Sequence, residues 1–253
     1  MKPSKLYSNA PTTFTPIEFT PELNVILAEI RLPENLDRDT HNLGKTTVGR
    51  LLDFGLLAGR DAQFFLFKHL DLFQDFVFFL EIEIFDGTFV TIRRSVFEAS
   101  KIAFKKHRAR HQDFSTLPEI EWDHYEVPFD RARDLLDSLL DWRALKPWGY
   151  RKGLGYLLRS QDDYRDVFQL RKFANAHADW KPFLAHILGF DAKIISQHYD
   201  KEDQLKEKEQ TAVMVRQELG GEIDDSGKID GLLLLKRQEA SGGSQGTRIA
   251  RRP

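Results

Sequence analysis

The 253-residue sequence contains no cysteine, carries almost no net charge and has no long uninterrupted apolar run. Zero cysteines excludes disulfides, zinc–thiolate sites and thiol nucleophiles together. Charged residues break every apolar stretch well before the roughly 18 residues that a bilayer-spanning helix needs, so no membrane partner is expected. The first residues lack an apolar h-region, and no signal peptide is expected either. Thirty-seven basic residues against thirty-nine acidic ones leave a formal charge of −2, which gives no global attraction to nucleic acid. These absences point to a cytoplasmic protein. The hydrophobic fraction of 41% and the twenty phenylalanines argue for a packed globule rather than a disordered chain. The length allows one large domain or two smaller ones.

The stretch that carries chemistry is His41-Asn42-Leu43-Gly44-Lys45-Thr46-Thr47. It follows the apolar run Leu23–Ile30, read as a buried strand, and precedes apolar positions Val48, Leu51, Leu52 and Leu56 at helical spacing. Strand, loop ending in Gly-Lys-Thr, then helix is the plan of a phosphate-binding P-loop. Backbone N–H groups and the helix N-terminus would hold phosphates, Lys45 would neutralise them and the Thr46 hydroxyl would reach Mg²⁺. Asp39 stands where the full pattern has its first glycine, and the polar segment Arg31–Thr40 is longer than a standard loop, which suggests an insertion. Gly59 fits a helix C-cap. His41 reads as an ordinary loop histidine.

Elsewhere, Lys5–Phe19 reads as two short strands joined by a loop, with Glu18 facing water. Residues Asp61–Asp75 are aromatic-rich, with a surface turn near Lys68-His69. The runs Phe76–Ile84 and Thr88–Ser95 flank Phe85-Asp86-Gly87, the strongest hairpin signal in the chain. A third strand is expected at Lys101–Phe104. Alternation places Glu81 and Glu83 on an exposed strand face, and Arg93 and Arg94 at a strand end. The basic tract Lys105–His111 reads as a solvated loop or hairpin tip before it reads as a DNA contact. Phe129–Leu145 is an amphipathic helix that Asp130 could cap, and Gly149–Gly155 is a flexible basic turn. Trp180–Leu188 is a helix ended by Gly189. Leu205, Lys208, Ala212, Val215 and Leu219 fall at heptad spacing, a short coiled-coil segment with a lysine in its seam. Lys228–Glu239 resumes the helix, and Ala240–Pro253 is read as a disordered tail.

Leu23-Asn24-Val25-Ile26-Leu27, the Asn-x-Gly-Lys-Thr-Thr loop, Ile92-Arg93-Arg94-Ser95, and Arg159-Ser160-Gln161 ahead of heptads occur in that order. Taken together they resemble the N-terminal half of the ATPase head of SMC-like ABC ATPases of the SbcC/RecN type, and more closely the bacterial YydD-like family. The resemblance covers roughly residues 1–238 and also rests on the opening Lys5-Leu6-Tyr7-Ser8-Asn9 and the inserted Glu29–Asn35. It implies that Lys45 binds the β/γ-phosphates and Thr46 the Mg²⁺. Asn42, Leu43, Gly44 and Thr47 would line the phosphates through backbone or hydroxyl. Gln161 would be the catalytic Q-loop glutamine, touching Mg²⁺ or the attacking water. A signature motif, a Walker B strand and a switch histidine are missing. Ser241-Gly242-Gly243-Ser244-Gln245 is rejected as a signature because no apolar strand ending in carboxylates follows it.

The expected fold class is therefore α/β, a P-loop NTPase N-lobe with a mixed β-sheet, an antiparallel hairpin region and a C-terminal helical or coiled-coil segment. The expected domains are 1–190 for the head lobe, 191–239 for the coiled-coil start and 240–253 for the tail. The expected function is ATP binding with Mg²⁺ by a truncated or partial head. A second head or a C-lobe, in a homo-oligomer or otherwise, would be its partner and DNA a further one, with negligible hydrolysis alone. The alternative is a non-catalytic interaction protein with a degenerate P-loop and a partner-binding helical segment. A small P-loop kinase would need a lid and acceptor-site residues, and none is identifiable.

Overall fold

A computed structural model describes residues 1–27, 45–159, 163, 177–218 and 226–242. Six strands form one sheet: β1 (Lys2–Ser8), β2 (Ile17–Glu18), β3 (Val77–Glu83), β4 (Phe89–Ser95), β5 (Lys101–His107) and β6 (His124–Pro128), in the order β2-β1-β3-β4-β5-β6. Every neighbouring pair is antiparallel. Among the described residues the sheet is thus antiparallel throughout and not mixed, and the protein belongs to the broad α-plus-β class.

The β3–β4 hairpin forms where the Asp-Gly signal puts it. Gly87 takes φ +76, a backbone region that costs glycine nothing, and Asp86 Oδ1 accepts from the Thr88 backbone N–H at 2.9 Å. The strand expected at Lys101 runs on to His107, and β1 with β2 supplies the expected N-terminal pair.

The two faces of the sheet are covered differently. Leu6, Phe78, Leu80, Ile82, Val90, Ile92, Ile102 and Phe104 point to one face and are buried with residues of α1 (Lys45–Gly55), α4 (Phe129–Leu140) and α5 (Tyr150–Leu157). Between α1 and β3 come two single-turn helices, α2 (Phe65–Lys68) and α3 (Leu70–Phe73). Phe64 and Leu66 enter the same core, whereas Lys68 and His69 face solvent. The opposite face carries Tyr7, Phe79 and Ala103, covered by Phe114, Leu117 and Trp122 from the β5–β6 connection.

That connection corrects two expectations. Glu81 has no exposed surface: its carboxylate accepts from Ser4 Oγ (2.5 Å), His111 N (2.8 Å) and Gln112 N (3.0 Å). The basic tract is not freely solvated either: Lys105, Lys106 and His107 end β5. Lys105 pairs with Asp123 (3.1 Å), Lys106 with Asp86 at the β3–β4 turn (2.8 Å) and Arg110 with Glu83 (3.7 Å), while His111 Nδ1 lies 3.3 Å from a Glu18 carboxylate oxygen. Alternation places Glu81 opposite the helix layer correctly, but that second face is closed as well.

Three helix expectations shift. The Phe129–Leu145 helix stops at Leu140, where Asp141 adopts φ +44. Its N-cap is Pro128 and no side chain caps it. Gly149–Gly155 is not a turn but mostly the helix α5. Leu57, not Gly59, occupies the left-handed residue after α1, at φ +60. The bonds from Ala58 N to Asp53 O (2.9 Å) and from Leu57 N to Phe54 O (3.1 Å) complete a Schellman motif there.

Two compact units divide the chain, Met1–His177 and Ala178–Pro253. The second is helical in its described parts. It contains most of α6 (His177–Ile187), which Gly189 at φ +82 follows, then the 27-residue α7 (Ala192–Glu218) and α8 (Ser226–Gly242). Trp180, Phe183 and Ala185 are buried on α6, whereas Ile194, Leu205, Met214 and Leu234 on α7 and α8 are exposed. Residues 243–253 of the expected tail, and Leu219 of the heptad series, lie outside the described residues. No helix among the described residues is long and apolar enough to cross a membrane.

Candidate functional site

The expected phosphate site is described from its helix side. Helix α1 spans Lys45–Gly55, so Lys45, Thr46 and Thr47 occupy its first turn, where backbone N–H groups lack intrahelical acceptors. Thr46 is exposed and Thr47 half-buried. Asp39, His41, Asn42, Leu43, Gly44 and Gln161, and the side chain of Lys45, lie outside the described residues. The strand expected at Leu23–Ile30 is not formed over Leu23–Leu27. These residues are irregular and solvent-exposed, with Leu23 at 87%, Val25 at 69% and Leu27 at 75% exposure. Residues 28–30 lie outside the described set.

An exposed threonine hydroxyl beside N–H groups that have no intrahelical acceptor suits an anion together with a hard cation. For Mg²⁺ it supplies one oxygen, so phosphate and water would complete the octahedron. Among the described residues no group of three His, Asp or Glu side chains could hold a metal ion.

The other end of α1 is held by side chains from three elements. Arg94, on the core face of β4, is 1% exposed. Its Nη1 donates to Phe54 O (2.7 Å) and Ala58 O (2.9 Å), and its Nε to Ala99 O (3.0 Å). The guanidinium lies over the Phe54 and Phe129 rings at 4.2 and 4.9 Å. Arg133 of α4 donates to Leu57 O (3.1 Å). From α5, Tyr150 Oη donates to Leu56 O (3.0 Å), and Arg151 Nη1 donates to Leu56 O (3.1 Å) and pairs with Asp53 (2.8 Å). Three arginines and a tyrosine from three elements therefore satisfy the carbonyl end of one helix, where the dipole is negative. No basic residue of α1 itself lies in its last turn.

Charge crowding is visible in Arg94. Burial first, then Arg133 and Arg151, pulls its guanidinium down to about 9, so it stays charged at neutral pH, while Asp53 works the other way. Burial also raises the Tyr150 hydroxyl well above its ordinary value, which keeps it a donor. Beside this end of α1 opens a cleft of about 270 Å³, lined in part by Arg50, Asp53, Asp61, Phe64 and Arg151.

Arg94 thus does more than decorate a strand end, as its sequence position suggests, and Arg93 lies over the Tyr125 ring at 5.5 Å. Nothing in the local sequence marks Arg94, Arg133, Tyr150 and Arg151 as a group, since they converge only through the tertiary fold. Comparison with family models, curated proteins and solved structures finds no match for this chain.

Proposed function

We propose that the protein is an ATP-binding N-terminal lobe of an SMC-like ABC ATPase, acting in the cytoplasm and completed by a second lobe or head. The observation that carries this reading is the Lys45-Thr46-Thr47 sequence on the first turn of α1, the position a P-loop requires. In this reading the α1 N–H groups and Lys45 bind the phosphates, Thr46 meets a magnesium ion, and Gln161 orients water or metal. ATP would supply the phosphoryl chemistry and the binding energy for engaging a partner. The chain's own residues hold and orient the nucleotide, since phosphoryl transfer depends mainly on positioning and charge stabilisation.

The exposed run Leu23–Leu27 supports an incomplete assembly. The exposed apolar side chains of Leu23, Val25, Ile26 and Leu27 favour contact with another polypeptide. The exposed apolar side chains of α7 and α8 favour a helical partner in the same way, and DNA-related work by the assembled protein is the further step.

Thermal unfolding with and without Mg·ATP tests the proposal. Saturating Mg·ATP at about 100 times its Kd should stabilise wild type by about 2.7 kcal/mol, and Lys45→Ala should abolish the shift. Turnover by the isolated chain should be negligible. If wild type shows no shift, ATP binding is refuted and the interaction protein with a degenerate loop takes its place.

A further inference from the structure

We propose that Arg94, Arg133, Tyr150 and Arg151 form a positioning clamp that couples nucleotide occupancy at the start of α1 to α4 and α5 at its far end. The inference rests on the phosphate-site reading above. Helix α1 is eleven residues long, or about 16 Å, and so is short and stiff enough to transmit a displacement along its axis.

Its carbonyl end cannot shift without breaking named contacts. Phe54 O and Ala58 O are held by Arg94, Leu56 O by Tyr150 and Arg151, and Leu57 O by Arg133. Leu57 sits in a left-handed conformation at φ +60 with no exposed surface, so the chain direction after α1 is fixed as well. The Asp53–Arg151 ion pair adds a side-chain tie between the last turn of α1 and α5. Helix α5 closes at Leu157, four residues before Gln161 in the sequence. One pair of residues on α5, Tyr150 and Arg151, therefore holds the far end of the helix that begins with Lys45.

Arg151, half-buried at the rim of this clamp, permits a test that leaves the buried core side chains in place. Arg151→Met removes one donor to Leu56 O and the partner of Asp53 without substituting any residue of the phosphate loop. Titration with Mg·ATP should show binding about five- to tenfold weaker than wild type for Arg151→Met, with partial recovery in Arg151→Lys. Arg50→Met, whose guanidinium meets Asp61 and the Phe64 ring beside the same cleft, should bind within about twofold of wild type. Hydrogen exchange supplies a second readout. Mg·ATP should slow exchange of the amides of Leu56–Ala58 in wild type but not in Arg151→Met. A merely structural clamp would lower the melting temperature of these variants and leave both readouts unchanged, which overturns the proposal. Failure of wild type itself to bind Mg·ATP overturns the phosphate-site reading and the clamp with it, and is distinguishable because every variant then matches wild type.

Discussion

Replacing Glu81 tests how the second face of the sheet is held. Its carboxylate is fully buried and accepts three hydrogen bonds, from Ser4 Oγ at 2.5 Å, His111 N at 2.8 Å and Gln112 N at 3.0 Å. In Glu81→Gln one oxygen can still serve Ser4 and His111, but the amide NH₂ then faces the Gln112 N–H, donor against donor. Losing one charge-assisted bond and stranding its partner should cost about 2–3 kcal/mol. Glu81→Ala strands all three donors and should cost about 3–5 kcal/mol, the range for removing one partner of a buried charged network. Urea unfolding followed by intrinsic fluorescence is the assay, since Trp122 packs on Phe79 of the same face with ring centroids 6.3 Å apart. With an m-value of about 2–3 kcal/mol/M, the glutamine variant should unfold at a midpoint roughly 1 M lower. Midpoint shifts equivalent to less than about 0.5 kcal/mol for both variants, the behaviour of an exposed strand residue, would refute the reasoning.

His107 gives a pH-dependent expectation. Its Nδ1 donates to Ala109 O (2.8 Å), its Nε2 meets Thr91 Oγ1 (2.9 Å), and burial lowers its pKa despite Glu81 nearby. The unfolded chain therefore binds more protons below about pH 6.5, and stability should fall as pH drops from 7 towards 5. His107→Asn should flatten that slope in denaturation series at each pH, and an unchanged slope would remove His107 as its source. At Gly55 an added Cβ would lie 2.8 Å from Leu80 Cβ, so Gly55→Ala should destabilise by about 1–3 kcal/mol. Gly59 faces open space, and Gly59→Ala should stay within about 0.5 kcal/mol. Thermal melts of the two variants check the contrast, which equal melting temperatures would contradict.

Local chemistry made part of this fold legible. The Asp86-Gly87 turn, the spacing of Ala132, Leu136 and Leu140, and the glycine after α6 each specify their own neighbourhood. What stayed hidden depends on distant segments. Alternation along β3 separates Phe78, Leu80 and Ile82 from Phe79 and Glu81, but it cannot show that residues 108–122 return to cover the second set. Helix α5 reads as a turn because Gly153 weakens its propensity. In the fold that glycine lets Leu145 pack closely on α5: an added Cβ would lie 2.6 Å from Leu145 Cδ1, so the leucine side chain would have to move. Leu23–Leu27 shows the opposite failure: its composition says strand, yet no described neighbour pairs with it. Of the candidate site, the helix start at Lys45 follows from sequence, whereas the arginines at its far end come from β4, α4 and α5 and share no local pattern.

The place of β1 in the sheet sets an order of events during synthesis. Strands β3 to β6 pair with sequence neighbours and can assemble as each emerges. β1 is made well before β3, its main partner, and seventy residues separate Ser8 from Phe78. At about 5–20 residues per second, β1 waits roughly 4–14 s for that partner. Throughout that interval only the two-residue β2 can pair with β1, through Lys5–Glu18 and Leu6–Ile17, and the β3 edge of Leu6 and Tyr7 stays open. The N-terminal segment is therefore where a nascent-chain chaperone would act, and where a slowed codon before β3 would most reduce the yield of folded protein.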